Sequence, residues 1–528
     1  MTRKAFWLML CILSPLILLM LLIPSLLLLD IGQSHAKLAD EKQQGMSFAA
    51  WWSGAYSSPD ADQALIELKD DGANWISLIV TRYQDTITST TIYTTTGTPT
   101  DEDLVHAINQ AHSLGMNVML KPHLDLANDT SHWRGDIGQG FSEADWAAWF
   151  ASYKSFINHY AQLAQTAGAD QFCIGTELVS TEFRSSNWHT IIAGVRGIFA
   201  GPITYAANPG SEVSITWWDH VDFIGVDAYY PLTDKNDPTL DELKAAWVPL
   251  AATLRTLSIS WGKPILFTEV GYSSQDGANR EPWNGQVSNV VDLQEQADLF
   301  QALFESVFNQ DWFAGVFWFT WLTDPFQGGP CDLTSTPHDK PAEAVMRLWY
   351  GAPPKLEQIP GFDYTRMSAV YADSLGTDWE NCSWGGTYNF TFTETVASGL
   401  YAISADAQSW GAVAFHYDNF DTSPYYWLEL YVYKSTDASS LVVFANDENG
   451  QELRTRPVED CRYTENQPIT PGVWTRVRIP LRDLNASHRM LQRLSIGNNR
   501  DWPFTFYVDD VHLVGALWVN NLPLVLKP

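Results

Sequence analysis

The feature that most constrains this chain is a strand/helix alternation that begins near Met46 and repeats eight times. Short apolar runs at 46–52, 75–80, 117–122, 171–176, 203–207, 223–228, 265–268 and 315–321 read as strands. Stretches of helical periodicity at 60–71, 101–114, 142–167, 187–199, 240–257, 292–309 and 340–350 lie between or after them. The link between the fifth and sixth strands is short and carries Trp217 and Trp218. Thr100 precedes Asp101, Glu102 and Asp103, and Ser142 precedes Glu143 and Asp145, so acids sit at positive helix ends. Gly72, Gly115 and Gly168 stand where helices stop, just ahead of strands. Eight βα units in one run predict an α/β protein with a (β/α)8 barrel over 37–350. No glycine-rich phosphate loop follows the first strand, which argues against an open doubly wound sheet.

The texture changes after the barrel. A Pro-rich linker covers 351–361. Short alternating runs follow at 387–393, 399–405, 412–417, 427–433, 441–446, 473–480, 492–496 and 504–514, predicting an all-β, jelly-roll-like sandwich over 362–528. The apolar tail 517–528 has no physical account. At the other end, Arg3 and Lys4 precede an apolar run at 5–29 and an acceptable cleavage site at Ser34-His35-Ala36. That run is long for a signal peptide and long enough to span a bilayer. Residues 1–36 are therefore either cleaved or kept as a membrane anchor. In both cases the remainder is expected to be exported, extracellular or at the cell surface.

A net charge of −30 argues against nucleic acid as a partner and against a polyanionic substrate, and leaves a neutral polysaccharide unaffected. The 24 tryptophans and 21 tyrosines supply either large cores or faces on which pyranose rings stack. Five cysteines show no C-x-x-C spacing, so no zinc or redox signature. Cys382 and Cys461 lie in the C-terminal region and are either bridged to each other or free, and Cys173, inside a strand pattern, is expected to be a buried thiol. A monomer needing no metal or organic cofactor is expected.

In a parallel barrel the C-terminal strand ends share one face, where active sites lie. Glu177 and Glu269 follow the fourth and seventh strands, across the mouth from each other. One such glutamate reads as a salt bridge; two in matching positions read as the carboxyl pair of a retaining glycosidase, which needs its acid protonated by burial or by a neighbouring carboxylate. Other strand-end residues are candidate sugar contacts. Lys121 and His123 either bond hydroxyls or pair with Asp125. Asp227 orients Tyr229 or a sugar hydroxyl, or makes a structural hydrogen bond. Arg82 either holds the nucleophile ionised or is a surface residue. Trp52, Trp133, Trp218 and Trp318 are candidate stacking platforms or core.

Several blocks resemble glycoside hydrolase family 113. They are Leu120-Lys121-Pro122-His123, Trp133-Arg134-Gly135, Phe172 to Glu177, Tyr205-Ala206-Ala207-Asn208, Ile224 to Pro231 and Pro264 to Tyr272, spanning about residues 46–350. The resemblance implies a clan A barrel with endo-β-1,4-mannanase activity, Glu177 as acid/base and Glu269 as nucleophile. It also places Tyr205 and Asn208 in the substrate site. Clan A enzymes usually carry Asn just before the acid/base; Thr176 stands there here, which leaves the sugar open. Glucan, xylan or chitosan remain alternative substrates, and a non-catalytic glycan-binding protein is the alternative of another class. In the β domain, Phe506 to Leu513 looks like the closing strand of jelly-roll carbohydrate-binding modules. Trp379, Trp384, Trp410, Tyr425, Tyr426, Trp427 and Trp502 are its candidate glycan platform.

Overall fold

The structure, a computed structural model, describes residues 42–355, 366–464 and 468–515. The leader expected at 1–36, the linker residues 356–361 and the tail 517–528 lie outside the described residues. Eight strands pair in parallel in chain order, and the last closes on the first. They are β1 (Gln43–Ala49), β2 (Trp75–Gln84), β3 (Asn117–Leu126), β4 (Gln171–Thr176), β5 (Ile203–Ala207), β6 (Phe223–Asp227), β7 (Ile265–Val270) and β8 (Phe313–Leu322). The outer helices are α1 (Pro59–Asp70), α2 (Asp101–Ser113), α3 (Glu143–Ala167), α4 (Ser185–Arg196), α5 (Leu240–Trp261), α6 (Leu293–Leu303) and α7 (Pro341–Tyr350). Among the described residues, β5 and β6 are joined without an α-helix, through a 3-10 turn at Trp218–His220. The start signals read from the sequence form capping boxes: the Thr100 and Ser142 hydroxyls accept from the Asp103 and Asp145 amides, and each carboxylate returns to its cap backbone. Gly168 ends α3 in the left-handed conformation, φ 82°.

One set of side chains fills the barrel interior: Trp75, Met119, Cys173, Ala206, Phe223, Leu266 and Phe317. Strand side chains alternate between faces. Two residues beyond Met119 comes Lys121, two beyond Leu266 comes Thr268, and four beyond Phe223 comes Asp227. A polar layer therefore stands on the apolar plug, toward the C-terminal strand ends. The opposite face of each strand packs against the helices in the larger core.

The described chain divides into two compact units, one running to Gln327 with Leu333–Pro353, the other made of Gly328–Asp332 and the residues from Pro354 onward. The second unit is antiparallel and all-β, with strands β9 (Arg366–Ala372), β10 (Ser374–Leu375), β11 (Glu380–Asn381), β12 (Trp384–Phe392), β13 (Ala402–Asp421), β14 (Trp427–Lys434), β15 (Leu441–Asp447), β16 (Arg456–Pro457), β17 (Thr475–Pro480), β18 (Met490–Asn498) and β19 (Phe504–Gly515). The runs expected at 399–405 and 412–417 merge into the 20-residue β13. Its pairing with β12 shifts register between Gly386 and Trp384, where Trp410 has a positive φ of 61°, so a bulge bends the strand instead of ending it. Cys461 is bridged to Cys331 in the Gly328–Asp332 segment, not to Cys382, which is free. The Cα atoms of the bridged pair lie 6.4 Å apart, within disulfide reach. Cys173 is a buried thiol.

Candidate active site

Glu269 lies on β7 and faces a cleft of about 880 Å³ lined also by His123, Asp125, Trp133, Arg134, Glu177 and Tyr229. Two residues on, just past the end of β7, Gly271 lets the chain approach β8: a Cβ there would stand 2.4 Å from the Phe319 carbonyl oxygen. Both carboxylate oxygens of Glu269 are held. The fully buried Lys121 ammonium donates to Oε1 at 2.6 Å, and the Tyr229 hydroxyl donates to Oε2 at 3.0 Å. Lys121 also donates to Asp227 Oδ1 at 2.8 Å, an oxygen that accepts from the Thr268 hydroxyl as well. His123 Nε2 stands 3.3 Å from Glu269 Oε1. Arg134 Nη1 donates to His123 Nδ1 at 3.1 Å, so the neutral imidazole carries its proton on Nε2, facing Glu269. Burial depresses the His123 pKa to about 4, which keeps the ring neutral.

Burial alone would raise the Glu269 pKa. The Lys121 ammonium, with His123, outweighs it and holds the carboxyl well below the usual carboxylate range. Burial likewise works against the Lys121 charge, but Asp227 and Glu269 together keep it protonated. Asp227, buried beneath the cleft, is pushed up to about 6 by desolvation, against the pull of Lys121.

Glu177 follows β4 directly and has a left-handed backbone, φ 53°. For a residue with a side chain that conformation costs about 1–3 kcal/mol and persists only where its surroundings impose it. Arg134 lies 3.9 Å from its Oε2 while forming a two-pronged ion pair with Asp125. Desolvation, and then the Asp227 carboxylate, push the Glu177 pKa up to about 8 against the pull of Arg134. Thus one cleft holds a carboxyl that is charged at neutral pH and another that keeps its proton. That pairing suits nucleophilic attack by one and proton donation by the other.

The expected contacts sort by strand parity. His123, Trp133, Asn208 and Tyr229 line the cleft. Lys121 and Asp227 lie fully buried under it and pair with each other, and Lys121 pairs with Glu269 as well; Asp125 pairs with Arg134 instead. Tyr205, Trp218 and Trp318 are fully buried in the outer core and do not reach a sugar. Trp318 stacks on Phe300 of α6 at 3.7 Å, and Trp218 donates its Nε1 to the Glu212 carbonyl. Arg82 donates to the Tyr160 hydroxyl on α3 and lies over that ring, so the cation beside Glu269 is Lys121. Trp52 is exposed, but its neighbour Trp51 is the one that lines the cleft. In the second unit Trp379 and Trp427 are buried, whereas Trp384, Trp410 and Trp502 are exposed. The reading of strand ends missed Arg134, Thr268 and Trp283. Arg134 adjoins Trp133 in a block already singled out, and Thr268 shares the inward parity of Leu266. Trp283 lies in a loop after β7, where no periodicity marks it.

The chain matches the profile of Glycoside Hydrolase Family 113 over residues 46–329, and that of the Expansin-like protein C-terminal domain over residues 370–516. It is similar to the solved complex of a β-1,4-mannanase of family 113, at 28% identity over 59% of this chain and 100% of that one, with a TM-score of 0.53. It is similar also to the β-mannanase AaManA of Alicyclobacillus acidocaldarius, solved with ManMIm, at 30% identity over 59% of this chain and 97% of that one, TM-score 0.53. No curated protein matches the chain. The closed barrel and its match to a glycoside hydrolase profile make the chain a glycoside hydrolase. More narrowly, the chain belongs to glycoside hydrolase family 113.

Proposed function

We propose that this chain is a retaining endo-β-1,4-mannanase acting on mannan or glucomannan. The observation that carries the mechanism is the placing of two carboxyls on one cleft in opposite surroundings, Glu269 against the Lys121 ammonium, which pushes its pKa down, and Glu177 desolvated and near Asp227, which push its pKa up. The substrate rests on the β-mannanases of the same family that the barrel is similar to. Glu269 attacks the anomeric carbon as the glycosidic C–O bond breaks, and Glu177 gives its proton to the departing oxygen. Glu177, now a carboxylate, takes a proton from water; the water oxygen displaces Glu269, and the sugar leaves with its configuration retained. Lys121 and Tyr229 keep Glu269 ionised and aimed in the first step, and stabilise it as a leaving group in the second. Asn208, Trp51, Trp133 and Trp283 face the sugar chain from the cleft walls.

The test is incubation of the full chain with mannan, glucomannan, cellulose and xylan. Mannan and glucomannan should yield oligosaccharides of several lengths, first released as the β-anomer. Preference for cellulose or xylan would refute the substrate, and first release of the α-anomer would refute the mechanism. Glu269→Ala should hydrolyse nothing while unfolding at an unchanged temperature.

Two further readings go with this one. The second unit binds glycan through exposed indoles: Trp384 donates its Nε1 to the Trp410 carbonyl, and arginines lie over the Trp384 and Trp502 rings. The chain is exported by residues 1–36; its Cys331–Cys461 bridge suits an oxidising compartment.

A further inference from the structure

We propose that Tyr205 and Glu182 are positioning residues that hold Glu177 in its left-handed turn. The proposal rests on the reading of Glu177 as the acid/base. Both amides flanking that turn are tied to β5. The Glu177 N–H donates to the Ala206 carbonyl at 2.8 Å. The next N–H, that of the buried Leu178, has the Tyr205 hydroxyl as its acceptor at 2.9 Å. The hydroxyl in turn donates to Glu182 Oε1 at 2.8 Å, and Ser211 donates to the same oxygen at 3.2 Å. Glu182 is itself fixed, because its carbonyl accepts from Trp217 Nε1 at 3.1 Å. The Thr181 amide and hydroxyl both return to the Leu178 carbonyl at 2.8 Å, closing the turn.

Neither positioning residue lines the cleft; Tyr205 is fully buried and Glu182 is 6% exposed. The route is therefore indirect. Residue 177 is glutamate, which disfavours positive φ, so the backbone stays there only while its neighbours' hydrogen bonds outweigh the local preference. Without the Tyr205 hydroxyl, the Leu178 amide must find another acceptor, and the carboxyl one residue back swings off the leaving-group oxygen. Glu269 is untouched, because Lys121 and Tyr229 hold it from β3 and from the end of β6. Loss of this network thus impairs proton donation and spares nucleophilic attack.

The test compares aryl oligosaccharides of the sugar that the polymer panel selects, one carrying phenol and one dinitrophenol, a leaving group that needs no proton. General acids contribute about 10²–10⁴-fold, so a displaced acid in Tyr205→Phe should cost about 10-fold or more in kcat/KM, which reports only the glycosylation step, on the phenyl substrate and under about 3-fold on the dinitrophenyl one. Each ratio comes from one preparation, so a reduced folded fraction cancels. Glu182→Gln, which keeps an accepting oxygen, should show the wild-type ratio, and Glu182→Ala should follow Tyr205→Phe. Equal losses on the two substrates in Tyr205→Phe, or a Glu182→Gln ratio as altered as that of Glu182→Ala, would overturn the proposal. Glu177→Ala is the control. If its loss depends on the leaving group while that of Tyr205→Phe does not, positioning alone fails. If its loss does not, the acid/base assignment fails and the proposal falls with it.

Discussion

Lys121→Met tests the electrostatics most directly. The ammonium has no exposed surface and sits 2.8 Å from Asp227 and 2.6 Å from Glu269. The cluster is thus two carboxylates around one cation. Methionine keeps most of the side-chain volume and removes the charge, leaving two buried carboxylates facing each other. Removing one partner of a buried pair costs about 3–5 kcal/mol. At about 1.4 kcal/mol per pKa unit, a penalty of that size, falling on the ionised forms, corresponds to a rise of about 2–4 units. Glu269 then rises from well below the carboxylate range into it, while Asp227, already pushed up to about 6, rises further. In the wild type the ionised Glu269 stabilises the fold above its unfolded pKa of about 4, and that contribution is lost only as pH falls through the depressed folded value. In the variant that depression is gone and Asp227, whose folded pKa already lies above its unfolded one, rises further, so the fold gains relative stability as pH drops through the raised Asp227 value. Two measurements check this. The acid limb of kcat/KM should move up by about 2–4 units into the ordinary carboxylate range, so that activity is lost on going from about pH 5 to about pH 3, where the wild type keeps it. The denaturation deficit against wild type should shrink between pH 8 and pH 5. An acid limb that stays in place, with a deficit independent of pH, would refute the assignment of Lys121 as the group that keeps the nucleophile charged.

Two other expectations follow from the same cleft. Glu177, raised to about 8 by burial and Asp227, is protonated below that value. The rate on mannan should fall as pH rises through about 8, and the alkaline limb should vanish in Glu177→Ala assayed on a dinitrophenyl glycoside; a limb that survives would assign it to another group. Trp133, 42% exposed on the cleft wall, should act through stacking alone. Trp133→Ala should raise KM for manno-oligosaccharides about 2–10-fold, the equivalent of a stacking contact, with kcat nearly unchanged; a fall in kcat with constant KM would contradict that role.

Much of this is legible in the sequence itself. Eight strand/helix repeats and the capping residues Thr100 and Ser142 carry the barrel, and the two glutamates stand at the ends of strands that a closed barrel must bring to one mouth. What was not legible is which way each strand-end residue points. Strands of a parallel barrel are buried on both faces, so hydrophobic alternation, the usual marker of side, is missing. β5 reads Ile203-Thr204-Tyr205-Ala206-Ala207, and nothing in that run says whether Tyr205 faces sugar or helix. The same ambiguity placed Trp318 and Arg82 in the substrate site when both pack outward on helices. The charge partners of Lys121 were out of reach for another reason. They stand 106 and 148 residues away on β6 and β7, while the nearer Asp125 belongs to Arg134.

One anchor per strand resolves the parity. Asn208 lines the cleft, so counting back by two puts Ala206 and Thr204 inward and Tyr205 outward, among Trp188, Trp217 and Trp218. A hydroxyl pointing outward from β5 is still next to β4, because adjacent parallel strands run within hydrogen-bonding distance. It meets β4 where that strand ends and the chain must turn sharply to present Glu177. An aromatic residue that cannot touch sugar is thereby placed to govern the group that does. In a barrel whose strands have two buried faces, the outward face at a strand end belongs to the machinery of the site as much as the inward one.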